Sequence, residues 1–455
     1  MNLNNIHNIF FVGIGGIGMS ALARYYNAQE KNVVGYDRTE TTLTKELQNE
    51  GIDMHFSDDV NLIPASFRKE NTLVIYTPAI PKEHKQLQYF LENNFTVVKR
   101  AAALGEITKS YKTFAVAGTH GKTTTSTLLA HILSSSKEKC SAFLGGISSN
   151  YGTNFLLEKE SKNMVVEADE FDRSFLQLNP NYGIITSTDA DHLDVYQNKD
   201  SVKKSFEDFA NLITEICVAK KGIGITRSHI SYSITDNSAD YFAANIRIEN
   251  HQYIFDAVTP KQTIKNIVCG LPGRHNVENA LAALTLGLEV GVDKEIIVSA
   301  IKTYRGVKRR FEYQINTNEK VYIDDYAHHP EEIKAFVNSV KELYPKEKIT
   351  GIFQPHLYSR TKDFAEDFAA SLSLLDSLCL IPIYPARELP IEGVSSSWLL
   401  SLVKVSDKHH CEKKDVLSWI EKTNPKVLLT MGAGDIDMLV EPIKEQLNKT
   451  TKNVA

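Results

Sequence analysis

The sequence predicts an α/β protein with three domains, each built on a mainly parallel sheet. Short apolar segments alternate with helix-like segments along the chain, and glycine-rich turns separate several predicted strands from the helices that follow. Apolar segments such as Ile9–Val12, Val33–Tyr36 and Thr72–Tyr76 have the length of buried strands. Parallel strands need long crossover connections, and the helix-like segments between them supply these.

Three α/β regions follow one another, and a chain of 455 residues is long enough for them. We expect boundaries near residues 107 and 309, which divide the chain into domains 1–107, 108–309 and 310–455. The second region contains predicted strands at Met164–Glu167 and Tyr182–Ile185 and a predicted helix at Asn276–Leu284. The predicted strands of the third region are Val321–Ile323, Ile349–Phe353, Leu378–Ile381 and Val427–Thr430.

Composition excludes several classes of protein. Hydrophobic residues make up 42% and charged residues 24% of the chain, as in an ordinary globular protein. No apolar run approaches the roughly 20 residues of a membrane span. The net charge of −5, without a basic block, disfavours nucleic acid as the main partner. Five scattered cysteines and an N-terminus without signal-peptide features indicate the reducing cytoplasm, and the oligomeric state stays open.

The turn at Gly118–Thr125 reads Gly-Thr-His-Gly-Lys-Thr-Thr-Thr and lies between an apolar strand and a helix-like segment. In such a turn the backbone N–H groups face an anion, Lys122 reaches the outer phosphates and the Thr123 hydroxyl can hold Mg²⁺. The loop is two residues shorter than the usual phosphate loop, so a chance Gly-Lys-Thr at a helix start is the alternative. The strand–loop–helix context favours a nucleoside triphosphate site.

A second glycine-rich turn follows the first predicted strand. Gly13, Gly15 and Gly18 fit the Gly-x-Gly-x-x-Gly pattern, and Asp37 ends the next strand where a ribose-binding acid is expected. The pattern recognises a pyrophosphate without distinguishing NAD from other nucleotide diphosphates, and tight packing without a ligand is the alternative. A dehydrogenase needs only this loop, and a plain ATPase needs only the loop at 118–124. A ligase that joins a nucleotide-linked substrate at the expense of ATP needs both.

Polar clusters follow strands of the second and third regions, where ligand sites concentrate in α/β sheets. Glu167–Asp172 and Asp189–Asp194 carry carboxylates suited to Mg²⁺, and His192 is a further ligand or donor; a solvated turn is the alternative. The third region contributes Asp324–Pro330 and Gln354–Thr361. Their basic residues suit a carboxylate or a transferring phosphoryl group, although the first cluster's His-Pro pair also fits a helix cap.

Together these motifs resemble those of the Mur ligase family over nearly the whole chain. The resemblance rests on Gly13–Ser20, Gly118–Thr124, Glu167–Glu170, Asp191–His192, Gly273–Asn279, Asp325–Pro330 and Gln354–His356. The short phosphate loop is the family's own form. The resemblance implies an N-terminal Rossmann-like domain for UDP, a central domain with the phosphate loop for ATP and a C-terminal Rossmann-like domain for an amino acid.

The activity that this resemblance implies is an ATP- and Mg²⁺-dependent ligation in peptidoglycan precursor synthesis. The start at Gly13–Ser20 favours the branch that joins L-alanine to UDP-N-acetylmuramate through an acyl phosphate. A relative that attaches another amino acid or a recycled peptide is the alternative within the fold. A NAD-dependent oxidoreductase leaves the loop at 118–124 without a role, and a non-catalytic nucleotide-binding protein does not explain the acid and histidine sets.

The resemblance also implies roles for individual residues. The implied catalytic residues are Lys122, Glu167, His192, His328 and Arg360. ATP would contact Gly118, Thr119, His120, Gly121, Lys122, Thr123, Thr124, Asn276, Asn279 and Arg310. The UDP part would contact Gly13, Gly15, Gly16, Gly18 and Asp37, and the amino-acid side Asp325, Tyr326, His328 and His356. Metal would be held by Thr123, Glu167 and His192.

Two positions depart from the family pattern. Many relatives carry Arg directly after Gln-Pro-His, where this chain has Leu357, so any substrate contact by that Arg is absent or supplied elsewhere. Other branches use a carbamylated lysine at the position to which ungapped counting from His192 assigns Glu207. We expect the plain carboxylate of Glu207 to supply that negative charge here.

Overall fold

The first sheet of the computed structural model, which describes residues 5–189, 199–386 and 388–452, has five parallel strands. These are β1 (Asn8–Val12), β2 (Asn32–Tyr36), β3 (Asp53–His55), β4 (Thr72–Tyr76) and β5 (Thr96–Lys99), in the order β3-β2-β1-β4-β5. The crossover helices are α1 (Ile17–Ala28), α2 (Thr42–Asn49), α3 (Lys85–Glu92) and α4 (Arg100–Thr108), with 3₁₀ turns at Val60–Leu62 and Ala65–Phe67. Strands β2 and β3 lie on one side of β1, and β4 and β5 lie on the other. The strand order therefore reverses at β1, which is where such folds bind ligands.

The second sheet has ten strands among the described residues, in the order β15-β14-β13-β12-β11-β10-β6-β9-β7-β8. They are β6 (Lys112–Ala117), β7 (Ser141–Phe143), β8 (Phe155–Leu156), β9 (Asn163–Glu167), β10 (Tyr182–Ile185), β11 (Ile216–Lys220), β12 (Ile230–Ser233), β13 (Tyr241–Glu249), β14 (Gln252–Val258) and β15 (Thr263–Val268). Its helices are α5 (Lys122–Ser134), α6 (Lys199–Leu212), α7 (Arg274–Glu289) and α8 (Lys294–Thr303), with a 3₁₀ turn at Phe171–Gln177. β6 lies between β9 and β10, so the loop after β6 has strand ends on both sides.

Among the described residues of the C-terminal region, the third sheet has six strands in the order β16-β17-β21-β18-β19-β20, and only β16 pairs antiparallel. The strands are β16 (Glu312–Asn316), β17 (Val321–Asp325), β18 (Ile349–Phe353), β19 (Ser377–Leu380), β20 (Asp407–His410) and β21 (Val427–Met431). The helices are α9 (Pro330–Leu343), α10 (Tyr358–Asp363), α11 (Ala365–Leu372), α12 (Ser396–Leu402), α13 (Val416–Thr423) and α14 (Val440–Lys452), with 3₁₀ turns at Lys413–Asp415 and Asp435–Leu439.

The described chain forms two compact units. One unit runs to Asn245 and includes Phe255–Ile267 and Glu278–Tyr304, and the other contains Ile246–Ile254, Val268–Val277 and the chain from Arg305 onward. The first two sheets share the first unit because one apolar core runs through both, with residues such as Leu22 and Phe143 in the same cluster. Another buried cluster, which includes Tyr322 and Trp419, belongs to the second unit.

The predicted α/β fold class with three sheets is confirmed, and the predicted helix at Asn276–Leu284 lies within α7. One local prediction was wrong. Asp324 and Asp325 were expected after a strand, but β17 extends through both because they pair in register with Thr430 and Met431 of β21. His329 is the N-cap of α9 and forms a capping box with Glu332, so the helix-cap interpretation holds.

Candidate active site

The loop at Gly118–Thr124 connects β6 to α5 with a backbone that only glycine allows. Gly118 has φ +140° and Gly121 has φ +80°, both in the region that residues with a side chain avoid. A Cβ atom on Gly118 would lie 2.0 Å from the Thr186 hydroxyl oxygen, and one on Gly121 would lie 2.5 Å from Oδ1 of Asn279. The loop is therefore held close to β10 and α7, which places Asn279 beside it.

Residues after β10 anchor the loop from its other side. The Ser187 hydroxyl accepts the N–H of His120 at 2.8 Å, and the Thr119 hydroxyl donates to the Asp189 carbonyl at 2.8 Å. Thr123 is buried in the first turn of α5, and the Thr124 carbonyl accepts the Tyr304 hydroxyl at 3.1 Å. The N–H groups of a first helical turn have no partner inside the helix, so this end of α5 suits a phosphate.

Lys122 is held by a carboxylate that the sequence interpretation did not assign. Its Nζ lies 2.7 Å from Oε2 of Glu170 and donates to the Gly118 carbonyl at 2.8 Å. Glu170 is buried, and burial raises the pKa of its carboxyl while the Lys122 charge opposes the rise. The ion pair positions the lysine over the loop, and an incoming phosphate would compete with Glu170 for it. The acidic stretch at 167–172 was the sequence feature from which a carboxylate partner for Lys122 could have been predicted.

Glu167 has the features of a metal ligand. It ends β9 and pairs in register with Val116 of β6, next to the start of the phosphate loop. Its Oε2 is buried and has no hydrogen-bond partner among the described residues. A buried carboxylate oxygen without a partner is costly unless a cation satisfies it, so Glu167 and the Thr123 hydroxyl fit the oxygen ligands that Mg²⁺ prefers. His192 lies outside the described residues, which contain no group of three His, Cys, Asp or Glu placed to hold a metal ion.

The first glycine-rich turn is closed by an acidic residue. Gly13 has φ +90°, and its N–H donates to the Tyr36 carbonyl at 2.7 Å. Gly15 donates its N–H to Oδ2 of Asp37 at 2.8 Å. Gly16 is the N-cap of α1 and has no side-chain cap. Asp37 therefore shapes this loop, in addition to its predicted role toward a ribose.

A cavity of about 90 Å³ lies between the first turn of α1 and the end of β9. Its polar lining includes Arg100, Glu167 and Asp169, with Gly18 and Gly145 also in the wall. Nη2 of Arg100 is 3.0 Å from a carboxylate oxygen of Asp169. The sequence interpretation missed Arg100, which belongs to none of the motifs.

In the second unit, His328, His356 and Arg360 form a cluster at the ends of β17 and β18. The rings of His328 and His356 are 6.1 Å apart. Nδ1 of His356 and Nη1 of Arg360 are buried and have no hydrogen-bond partner among the described residues. Burial, followed by the charge of Arg360, lowers the pKa of His356 to about 4, and burial also lowers the pKa of His328. The cluster therefore offers a fixed cation beside neutral imidazoles, an arrangement suited to an anion.

The remaining predicted residues of this unit hold the chain around that cluster. Asp325 accepts the N–H of Phe311 and that of Ala327, each at 2.7 Å, and burial raises the pKa of its carboxyl although these bonds oppose the rise. Tyr326 is exposed, and the guanidinium carbon of Arg309, which the sequence interpretation did not assign, lies 5.3 Å from its ring centroid.

The predicted ATP contact Arg310 is exposed. Asn276 of the same unit is buried, and its amide donates to the Pro272 carbonyl at 2.6 Å.

The two departures from the family pattern have distinct surroundings. Leu357 is the N-cap of α10 with φ +71°, a strained conformation for leucine, and its N–H donates to the Tyr384 carbonyl at 3.0 Å. Both carboxylate oxygens of Glu207 accept bonds from Thr226 and Arg227 of a nearby turn. The carboxylate thus orders that turn, and its expected part in the reaction stays a prediction.

The first unit combines a phosphate loop, whose lysine is held by an ion pair, with a second glycine-rich loop and a carboxylate suited to a metal. These features define a nucleotide-binding α/β protein of the phosphate-loop class. Family models match three successive parts of the chain. The model described as "Mur ligase family, catalytic domain" matches residues 8–112, "Mur ligase middle domain" matches 116–287 and "Mur ligase, glutamate ligase domain" matches 309–434. The chain belongs to the Mur ligase family.

Relatives match the chain over nearly its full length. It is 52% identical to a UDP-N-acetylmuramate–L-alanine ligase of Flavobacterium psychrophilum, covering 99% of this chain and 100% of the relative. A ligase of the same name from Parabacteroides distasonis is 49% identical, with 99% of each chain covered. The crystal structure of a UDP-N-acetylmuramate–alanine ligase from Thermotoga maritima has a TM-score of 0.84 at 28% identity, covering 97% of this chain and 99% of that one.

The fold extends to more distant structures. A murein peptide ligase from Psychrobacter arcticus has a TM-score of 0.66 at 21% identity, with 97% of this chain and 98% of that chain covered. None of the described helices combines the length and apolar character that crossing a membrane would take.

Proposed function

We propose that the chain catalyses the ATP-dependent ligation of L-alanine to UDP-N-acetylmuramate, which yields UDP-N-acetylmuramoyl-L-alanine, ADP and phosphate. The observation that carries the proposal is the 52% identity, over 99% of the chain, to a relative of that name. The reaction belongs to peptidoglycan precursor synthesis, and we place it in the cytoplasm because its substrates are soluble nucleotides and amino acids. We assign UDP binding to residues 1–107, ATP binding to 108–309 and amino-acid binding to 310–455.

In the first step, a carboxylate oxygen of UDP-N-acetylmuramate attacks the γ-phosphorus of ATP, and ADP leaves. Both reactants are anions, so a cation must screen their approach. Lys122 supplies that charge over the loop formed by Gly118–Thr124, and Glu170 holds the lysine until phosphate replaces it. His120, Asn279, Asn276 and Arg310 complete the proposed ATP contacts, while Gly13, Gly15, Gly16, Gly18 and Asp37 bind the UDP part.

Thr123 and Glu167 would hold Mg²⁺, with His192 as a further proposed ligand. The ion supplies Lewis-acid polarisation of phosphate oxygens and neutralises their charge. The support for Glu167 is its buried oxygen, which has no hydrogen-bond partner among the described residues. A Cβ atom on Gly145 would lie 1.9 Å from that oxygen, so the space beside the carboxylate is kept by a glycine.

In the second step, the amine of L-alanine attacks the acyl phosphate and phosphate leaves. The amine must lose its proton before or during attack, and a neutral ring nitrogen can accept a hydrogen bond from it. We assign this environment to the cluster of His328, His356 and Arg360, because the lowered pKa of each histidine keeps it neutral near pH 7. Arg360 offers a cation for the substrate carboxylate or the leaving phosphate, and Asp325 and Tyr326 complete the amino-acid side.

The decisive experiment measures ADP release with UDP-N-acetylmuramate, Mg²⁺ and each amino acid in turn. We expect release with L-alanine and much slower release with glycine, although pockets discriminate one methyl group by only about 1–3 kcal/mol. Preference for glycine or serine would correct only the amino acid, and release only with a peptide would favour the recycling alternative. No release with any of these acceptors would overturn the proposed ligase activity.

A further inference from the structure

Arg100 lies between the first glycine-rich loop and the acidic residues that follow β9. It is the first residue of α4, directly after the carboxyl end of β5, where α/β sheets bind ligands. A Cβ atom on Gly18 would lie 2.6 Å from Nη1 of Arg100, so the guanidinium covers the first turn of α1. Gly18 permits this approach because it has no side chain. The third glycine of the first loop thus accommodates a cation.

The cavity beside Arg100 borders both the proposed UDP site and the proposed metal site. Its wall includes Gly18, from the proposed UDP loop, and Glu167, the proposed metal ligand next to the ATP loop. A substrate that carries UDP at one end and a reacting carboxylate at the other must pass between these two places. Among the lining residues, Arg100 is the one cationic side chain.

A carboxylate already pairs with Arg100 in the structure. Nη2 donates to Asp169 at 3.0 Å, while Nη1 faces the first turn of α1. The Asp169 side chain is 35% exposed, so it can turn toward solvent when another carboxylate arrives. The planar guanidinium matches a carboxylate in two-point geometry, which a lysine does not.

Resting on the proposed function, we propose that Arg100 binds the lactyl carboxylate of UDP-N-acetylmuramate and that Asp169 occupies its place in the absence of substrate. Arg100 would position the nucleophile and screen its charge on the substrate side, as Lys122 does on the phosphate side. It would also be a specificity residue, because UDP-N-acetylglucosamine carries the same pyrophosphate and lacks this carboxylate.

The test compares the dissociation constants of UDP-N-acetylmuramate and UDP-N-acetylglucosamine, measured by titration calorimetry without ATP. The wild-type protein should bind UDP-N-acetylmuramate more tightly. Arg100→Gln should weaken that binding by roughly 10- to 100-fold, the usual effect of removing a hydrogen bond to a charged group. Binding of UDP-N-acetylglucosamine should change by less than about threefold, and Arg100→Lys should retain part of the affinity for UDP-N-acetylmuramate.

Lys99 provides a matched control one residue away. Its Nζ pairs with Asp172 at 2.7 Å on the surface, so Lys99→Gln removes a similar ion pair outside the cavity and should leave both constants within about twofold. Equal weakening of both ligands by Arg100→Gln would assign Arg100 to the pyrophosphate and overturn the proposal. So would an unchanged preference, or a wild-type protein that binds both ligands equally. Ligase turnover in the wild type separates these failures from a failure of the proposed function.

Discussion

We propose that the phosphate loop of the first unit and the cluster of His328, His356 and Arg360 in the second unit both bind anions, but with different chemical groups. In the loop, the proposed contacts to phosphate are backbone N–H groups, and the cation Lys122 is held by the buried carboxylate of Glu170. In the cluster, buried nitrogens of His356 and Arg360 have no hydrogen-bond partner among the described residues, and the imidazoles stay neutral.

The difference reflects the chemistry proposed for each region. A triphosphate is a strong anion at every physiological pH, so a permanent cation on a rigid backbone suits it. Accepting a hydrogen bond from an amine requires an uncharged ring nitrogen, which burial beside a fixed cation provides for histidine. The loop should therefore depend on charge and backbone shape, and the cluster on protonation.

Removing the loop's cation should have the largest effect. Lys122→Met should lower kcat for ADP release by at least about 1,000-fold, because the γ-phosphate loses its screening charge. The thermal midpoint should change little, since Glu170 can take up a proton. Lys109→Met, which removes an exposed lysine paired with Glu106, is the matched control and should retain full activity. Substantial turnover by Lys122→Met would show that the phosphate loop has been misassigned.

Removing the cluster's cation should have the next largest effect. Arg360→Gln should lower kcat/KM for L-alanine by on the order of 100-fold, because Nη1 of Arg360 is buried and available to a substrate anion. Arg360→Lys should recover part of the loss, since it keeps the charge without the planar fork. Steady-state kinetics at saturating ATP measure both variants. An unchanged kcat/KM in Arg360→Gln would remove this residue from the site.

Changing the loop's backbone should cost stability as well as activity. Gly118→Ala should lower the free energy of unfolding by about 2–4 kcal/mol, from the φ of +140° and from contact with Thr186. Gly152→Ala is the control, because Gly152 also has positive φ (+69°) but nothing lies within 4 Å of the added Cβ. It should cost only about 1 kcal/mol. Equal losses in a denaturant titration would mean that the Thr186 contact is unimportant.

The smallest effect concerns the protonation of the cluster. The pKa of His356 is about 4 in the folded protein and about 6.5 when unfolded, so between these values the unfolded state binds more protons. The free energy of unfolding should therefore decrease as pH falls from about 6.5 to 4. His356→Gln should flatten part of this decrease, whereas substitution of the exposed His7 should not. Parallel pH profiles for all three proteins would contradict a neutral buried His356.

Sequence reasoning predicted those parts of the site that depend on neighbouring residues. The two glycine-rich loops, the Glu167 strand end and the cap at His329 each follow from a few consecutive positions with a defined backbone requirement. It missed Glu170 as the partner of Lys122 and Arg100 as the partner of Asp169, because these pairs are separated by 48 and 69 residues. It also ended β17 too early, since the pairing with β21 is a long-range contact.

The sequence by itself determined the α/β class, the location of both glycine-rich turns and the family to which the chain belongs. These depend on residue types and spacing along the chain. Only the tertiary structure decided which carboxylate holds which cation, where Gly18 lets Arg100 approach α1, and why His356 stays neutral. Such properties arise from burial and from contacts between distant segments, because desolvation and Coulomb interactions act through space and not along the sequence.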